Sequence, residues 1–175
     1  MKPLLFVFAL LISTNALSQE ITKEDRNNAS TASMIASTLV KCQGSIGFIR
    51  EIFVTFKAAG LIMNMDVTKA DPILDGLKKD FYRIEENHIK YLNGVMKKVG
   101  LDEQQLQNQG QEEYLIAKKS IMDKYNKLPN KSKIIFITGT LQYIQICTQS
   151  ADELIRVHFP DFEVNTSKKL EGEKG

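Results

Sequence analysis

The sequence predicts an all-α protein, an up-down-up-down bundle of about four long helices with a disulfide between helix 1 and helix 4. Three observations carry that prediction. Apolar residues recur at helical spacing through long stretches rich in Leu, Ile, Lys, Glu and Gln. Breakers are few, with only 4 prolines in 175 residues. The chain's 2 cysteines, Cys42 and Cys147, fall in the middle of the first and last helical stretches.

Residues 1–18 read as a signal peptide. Lys2 supplies a positive start, Leu4 to Ile12 is an unbroken apolar run, and Ala16-Leu17-Ser18 offers small residues to a signal peptidase. The run is short for a membrane anchor. Taking those eighteen from 175 leaves 157 residues, enough for one domain with a real core. Lys2 is the only charged residue removed, so 22 of the 23 basic residues face 21 acidic ones. A near-neutral chain of mixed sign makes no case for nucleic-acid binding. Residues 19–162 are read as the bundle domain and 163–175 as a polar, disordered tail.

Helix 1 begins near Lys23–Ser30 and runs to about Ala59, with Gly60 as its stop. Its seam is Ile35, Leu39, Cys42, Ile46, Ile49, Phe53 and Phe56, stepping by 4, 3, 4, 3, 4 and 3. Gly44 and Gly47 cost helix stability but let a neighbouring helix come close. An apolar loop is expected over 61–70. Asp71-Pro72 signals the start of helix 2, which reaches about Val99 through Leu74, Leu77, Phe81, Ile84, His88, Tyr91 and Val95. Asp102 caps helix 3, which reaches about Lys127 through Leu106, Tyr114, Ala117, Ile121, Tyr125 and Leu128, with a kink expected at Gln109-Gly110. Ser132 caps helix 4, which ends near His158 because Pro160 forbids continuation. Its inward face is Ile134, Ile137, Leu141, Ile144, Ala151 and Leu154. A strand over Lys133–Ile137 competes, since β-branched residues dominate there.

Up-down-up-down topology sets the heights of the cysteines. Cys42 lies about 18 residues, roughly 27 Å, below the end shared by helices 1 and 4, and Cys147 about 15 residues, roughly 22 Å. Matched heights in an exported chain predict the Cys42–Cys147 bridge.

Motifs for chemistry are incomplete. Glu85-x-x-His88 has the spacing of a di-metal carboxylate bundle, but no second such pair exists, so no metal is expected. Met34 and His158 are level enough to serve as axial ligands of a b-type haem. No serine sits in a nucleophile elbow, and acidic pairs such as Glu112-Glu113 read as a solvated face. The lysines at 118, 119, 124, 127, 131 and 133 crowd the helix 3–helix 4 corner, where a helix C-terminus favours cations.

Charge is unevenly distributed. Helix 1 has only Lys41 between Asn27 and Ile49, and helix 4 has no charge from Ile134 to Ala151. Free-standing bundle helices show charge to solvent, so this face is expected to meet protein, a partner or a second copy, through Phe48, Ile52, Phe136, Tyr143 and Ile146. The polar Gln and Thr residues of helix 4 speak against stable membrane insertion. The functional expectation is an exported, non-catalytic binding protein that presents a rigid helical surface, as an inhibitor, immunity factor, adaptor or chaperone does. No cofactor is expected. The alternative is a carrier of a small apolar ligand or b-type haem in the bundle core. The bacterial periplasm fits the short leader best. Asn28-Ala29-Ser30, Asn130-Lys131-Ser132 and Asn165-Thr166-Ser167 match the glycosylation sequon and would instead suit a eukaryotic secreted chain.

Overall fold

The computed structural model of the protein describes residues 21–58 and 67–162. Five α-helices form four rods: α1 (Lys23–Ala58), α2 (Val67–Arg83) continuing through a π-helical segment (Ile84–Ile89) into α3 (Lys90–Lys97), α4 (Glu103–Asn126) and α5 (Asn130–His158). The fold is an all-α bundle, with Cys42 of α1 bonded to Cys147 of α5. The predicted signal peptide, most of the apolar loop and the C-terminal tail lie outside the described residues.

Contacts give the rods their directions. Gln43 reaches Glu85, and Lys57 pairs with Asp71 at 2.7 Å, so α1 and α2 are antiparallel. Cys42 meets Cys147, and Phe48 meets Phe136, so α1 and α5 are antiparallel too. Arg83 and Tyr91 meet Asp152 and Phe159, which makes the α2–α3 rod and α5 parallel.

The rods are not equal partners. α1 packs against every other rod, while α4 and α5 hardly touch beyond the Tyr125–Phe136 contact near their turn. All eight residues from Cys42 to Ile49 are buried. A helix surrounded on all sides has no solvent face to charge, which explains the missing charge from Cys42 to Ile49; nearer its start Ser30, Met34 and Thr38 are exposed and uncharged. The opening seam holds, with Ile35, Leu39, Cys42, Ile46, Ile49 and Phe53 all buried.

Local chemistry sets most boundaries. Thr22 caps α1 in a reciprocal box: its Oγ1 accepts from the Asp25 N–H at 3.0 Å, and Asp25 Oδ2 accepts from the Thr22 N–H at 3.0 Å. The Thr22 hydroxyl and amide hold the Asp25 carboxyl below its usual range. Asp102 Oδ1 accepts from the Gln105 N–H at 3.0 Å, as its cap role predicts. Gly100 supplies a positive φ of 88° for the turn before it.

Several expectations fail for identifiable reasons. α2 starts at Val67, so Pro72 lies inside it rather than at its first position. As the sixth residue of α2, Pro72 lies past the N–H groups that a helix start leaves free, so it removes one backbone bond from the second turn. Asp71 gives its carboxylate to Lys57 instead of to a cap. α4 runs unbroken past Gly110. α5 begins at Asn130, two residues before Ser132, and Lys133–Ile137 is helical. Ile134 and Leu154 are exposed, and the inward line of α5 is Thr140, Ile144, Thr148, Ala151 and Ile155.

The π segment moves the second seam. Leu77 before it, and Ile84 and His88 within it, are buried on schedule. From its last residue, Ile89, the buried line goes on through Leu92, Met96 and Val99, one residue later than the predicted Tyr91 and Val95, which are only half-buried. A π turn holds an extra residue per turn and so delays the inward face by one position. Gln43 donates to the Phe81 carbonyl at 3.4 Å, where the backbone ladder enters this wider turn.

Candidate functional site

The residues expected to form one partner-facing surface divide between core and solvent. Phe48 is fully buried and stacks edge-on with Tyr125 and Phe136, at centroid distances of 5.5 and 6.0 Å. Ile52 is buried as well, and Phe136 is half-buried against the same core. These three belong to the core, so Phe48 and Ile52 of helix 1, and Phe136 of helix 4, are corrected out of the predicted surface. The error comes from giving α1 an outward side that this bundle does not leave open in its middle.

Tyr143 and Ile146 behave differently, at 44% and 64% exposed. They stand in a longer row on α5: Ile135, Gly139, Tyr143, Ile146, Ser150, Leu154 and Val157. At 100° per residue the row occupies an arc of about 100°, the width of a packing seam. Ile135 and Val157 are 74% and 71% exposed, and nothing lies within 4 Å of where a Gly139 side chain would start. The seven residues named carry no charge, and exposed Glu153, five full turns from Ile135, lies on the edge of the row. α5 therefore carries two seams, one spent on α1 and the π segment, and one facing solvent. Sequence reasoning found two of its residues and missed Ile135, Leu154 and Val157. The step of 4, 4, 3, 4, 4 and 3 was the available signal.

Beneath α5 lies a polar node that the sequence did not reveal. His88, fully buried in the π segment, has Nε2 2.6 Å from Asp152 Oδ1. The carboxylate only accepts, so Nε2 carries the proton and donates. Arg83 Nη1 donates to Asp152 Oδ2 at 3.0 Å, and its Nη2 donates to the Thr148 carbonyl at 2.8 Å. Asp152 thus clamps the α2–π rod to α5. The clamp is closed over by Phe162, whose ring lies 5.7 Å from His88 and 4.8 Å from Tyr91. His88 Nδ1 and Arg83 Nε have no partner among the described residues. His88 is fully buried, while the Arg83 and Asp152 side chains are partly exposed at the groove beside α5.

The remaining candidates are dispersed. Among the described residues no three His, Cys, Asp or Glu side chains come together as a metal would need. Met34 and His158 are both exposed and enclose nothing. Lys118 pairs with Glu51, and Lys133 lies 5.0 Å over the Tyr125 ring, so two lysines of the basic corner are already engaged. An open groove of about 520 Å³ is lined by Gln149, Asp152, Glu153, Arg156 and Val157, and a second of about 510 Å³ lies between α2 and α5, lined by Leu77, Arg83, Leu141 and Gln145 among others. Among the described residues no helix is long and apolar enough to cross a membrane. No family model, curated protein or solved structure matches the chain.

Proposed function

We propose that the protein is an exported, non-catalytic binding protein that presents the outer face of α5 to another protein. The single observation that carries this reading is the apolar row from Ile135 to Val157, left in solvent on a helix whose other side is already packed. Contiguous exposed apolar surface at helical spacing is what one amphipathic helix offers another. The Cys42–Cys147 bond supports an oxidising compartment, since such bonds form and persist outside the cytosol. The clamp at Asp152 and the bridge at Cys147 hold α5 from its inner side, which suits a rigid presenting surface.

The test separates surface from core. Tyr143→Glu and Ile146→Glu are expected to abolish association with protein while leaving helicity and the melting temperature near wild type. Phe48→Glu is expected to unfold the chain. Loss of the fold in Ile146→Glu, or full binding retained in both α5 variants, would reject the reading.

A further inference from the structure

We infer that the corner where α4 turns into α5 docks on an anionic membrane surface. Ile134 and Ile135 enter the headgroup region, and Lys124, Lys127 and Lys131 lie over acidic headgroups. The contact is peripheral, made by one end of the bundle and not by a spanning helix.

Exposure marks the place. Ile135 and Ile134, at 74% and 73%, are the two most exposed large apolar side chains among the described residues. They are neighbours in the opening turns of α5, just past the Leu128-Pro129 turn. Lys131 projects between them on the helix surface. At 100° per residue it lies about 60° from Ile134 and about 40° from Ile135. Bare apolar side chains around a long cation make an interfacial anchor, in which the apolar part leaves water and the ammonium reaches a headgroup.

Charge names the surface. Residues 118–135 hold six lysines against one acidic residue, Asp123, in a chain of nearly balanced charge. Lys118 is engaged by Glu51 and Lys133 by the Tyr125 ring. Lys124, Lys127 and Lys131 are exposed and make no ion pair among the described residues. α5 has no acidic side chain before Asp152, and Asp71, at the same end of the bundle, is paired with Lys57. The dipole of α4 favours Lys124 and Lys127 near its C-terminus, but the same effect opposes a cation in the first turn of α5, where Lys131 stands. Helix electrostatics therefore leaves Lys131 unexplained, and an anionic surface, which attracts each nearby lysine, accounts for it. A bilayer uses the lysines and the isoleucines together, because its acidic headgroups overlie its acyl chains. The docking row of α5 stays usable, since Tyr143 and Ile146 stand about 12 and 16 Å beyond Ile135 along the helix.

Co-sedimentation of the exported protein with lipid vesicles tests this. Binding is expected to vesicles of phosphatidylglycerol and phosphatidylethanolamine, to fall with added salt, and to be absent for phosphatidylcholine alone. Lys127→Gln/Lys131→Gln is expected to lower binding about thirtyfold, the weight of two surface lysines. Ile134→Ser/Ile135→Ser is expected to lower it about tenfold. Both variants keep the wild-type melting temperature, because all four side chains are exposed. The chain has no tryptophan, so Ile135→Trp and Ile146→Trp are single reporters. On phosphatidylglycerol vesicles the emission of Ile135→Trp should move to shorter wavelength and that of Ile146→Trp should not. Absence of vesicle binding, or equal binding to phosphatidylcholine, would overturn the inference. So would binding that survives the isoleucine substitutions, which would mean that the lysines meet charge alone, as on an acidic polypeptide. A blue shift at both positions would mean that α5 lies flat on the bilayer, and would overturn the protein-docking reading of the row as well. Failure at the corner alone leaves that reading standing, because Tyr143→Glu and Ile146→Glu test it separately.

Discussion

Gly44 of α1 packs so closely on Ala117 of α4 that a side chain begun at Gly44 would lie 2.7 Å from the Ala117 Cβ and 3.0 Å from the Lys118 amide nitrogen. One of those obstacles is backbone, which cannot swing away. At Gly47, one turn on, the Tyr114 ring fills the space that a side chain would need. Gly44→Ala should therefore destabilise the protein by about 1 kcal/mol or more, because overpacking outweighs the helix propensity gained. Gly94→Ala, at an open position in α3, should instead stabilise it by about 0.5–1 kcal/mol. Denaturant unfolding of the pair measures both, and equal effects would mean that α4 does not lie on this glycine face.

Asp152→Ala leaves His88 Nε2 buried without an acceptor and removes the carboxylate partner of Arg83. A loss of about 2 kcal/mol is expected, since an unsatisfied buried donor costs its full desolvation. Arg83→Ala should cost less, because Arg83 is partly exposed and its ion pair is screened. A double-mutant cycle on Arg83 and Asp152 that shows no coupling would remove the clamp from the account.

How far the sequence disclosed this fold depended on whether the signal was local. The seam of α1, the Asp102 cap and the level of the two cysteines are written in spacing along one helix, and each is found in the structure. The hub position of α1 is not local. Its low charge fits burial among three rods as well as it fits an interface, and only the placement of α4 and α5 decides between them. The π segment escapes a heptad reading because no residue type marks the extra position it inserts. The His88–Asp152–Arg83 node joins residues 64 to 69 apart in sequence, which no local spacing encodes. On α5 the outer row is half legible, since Tyr143 and Ile146 stand off the inward seam while Ile135, Leu154 and Val157 blend into a helix that is apolar on more than one side.

Reduction of the Cys42–Cys147 bond opens a loop closed across 105 residues of sequence. On the chain-entropy account this should lower stability by about 4 kcal/mol. Comparison of denaturant midpoints for the oxidised protein and the Cys42→Ala/Cys147→Ser variant checks it. A variant as stable as the oxidised protein would show that helix packing alone holds α5 in place.

Alkaline pH should also weaken the fold. Burial raises the Tyr125 phenol above its ordinary value of 10.0, and burial together with the nearby Asp161 charge raises Tyr91. The folded state then holds these protons more tightly than the unfolded chain. Their contribution is complete below about pH 10, the unfolded phenol value, and is lost as pH rises through the higher folded values. The urea midpoint should stay flat to about pH 10 and fall beyond it, and Tyr125→Phe should flatten the fall. A midpoint that rises above pH 10 would contradict the burial of these rings.

The central claim is that the outer row of α5 meets protein, and hydroxyl-radical footprinting of Tyr143 tests it most directly. Tyr82, at 55% exposed, serves as an internal reference for Tyr143 at 44%. In concentrated protein, or in extract from its host, Tyr143 should be protected relative to Tyr82, and Ile146→Glu should restore its reactivity. Tyr143 oxidised as readily as Tyr82 under all of these conditions would show that the face stays bare and that the account of α5 as a docking helix is wrong.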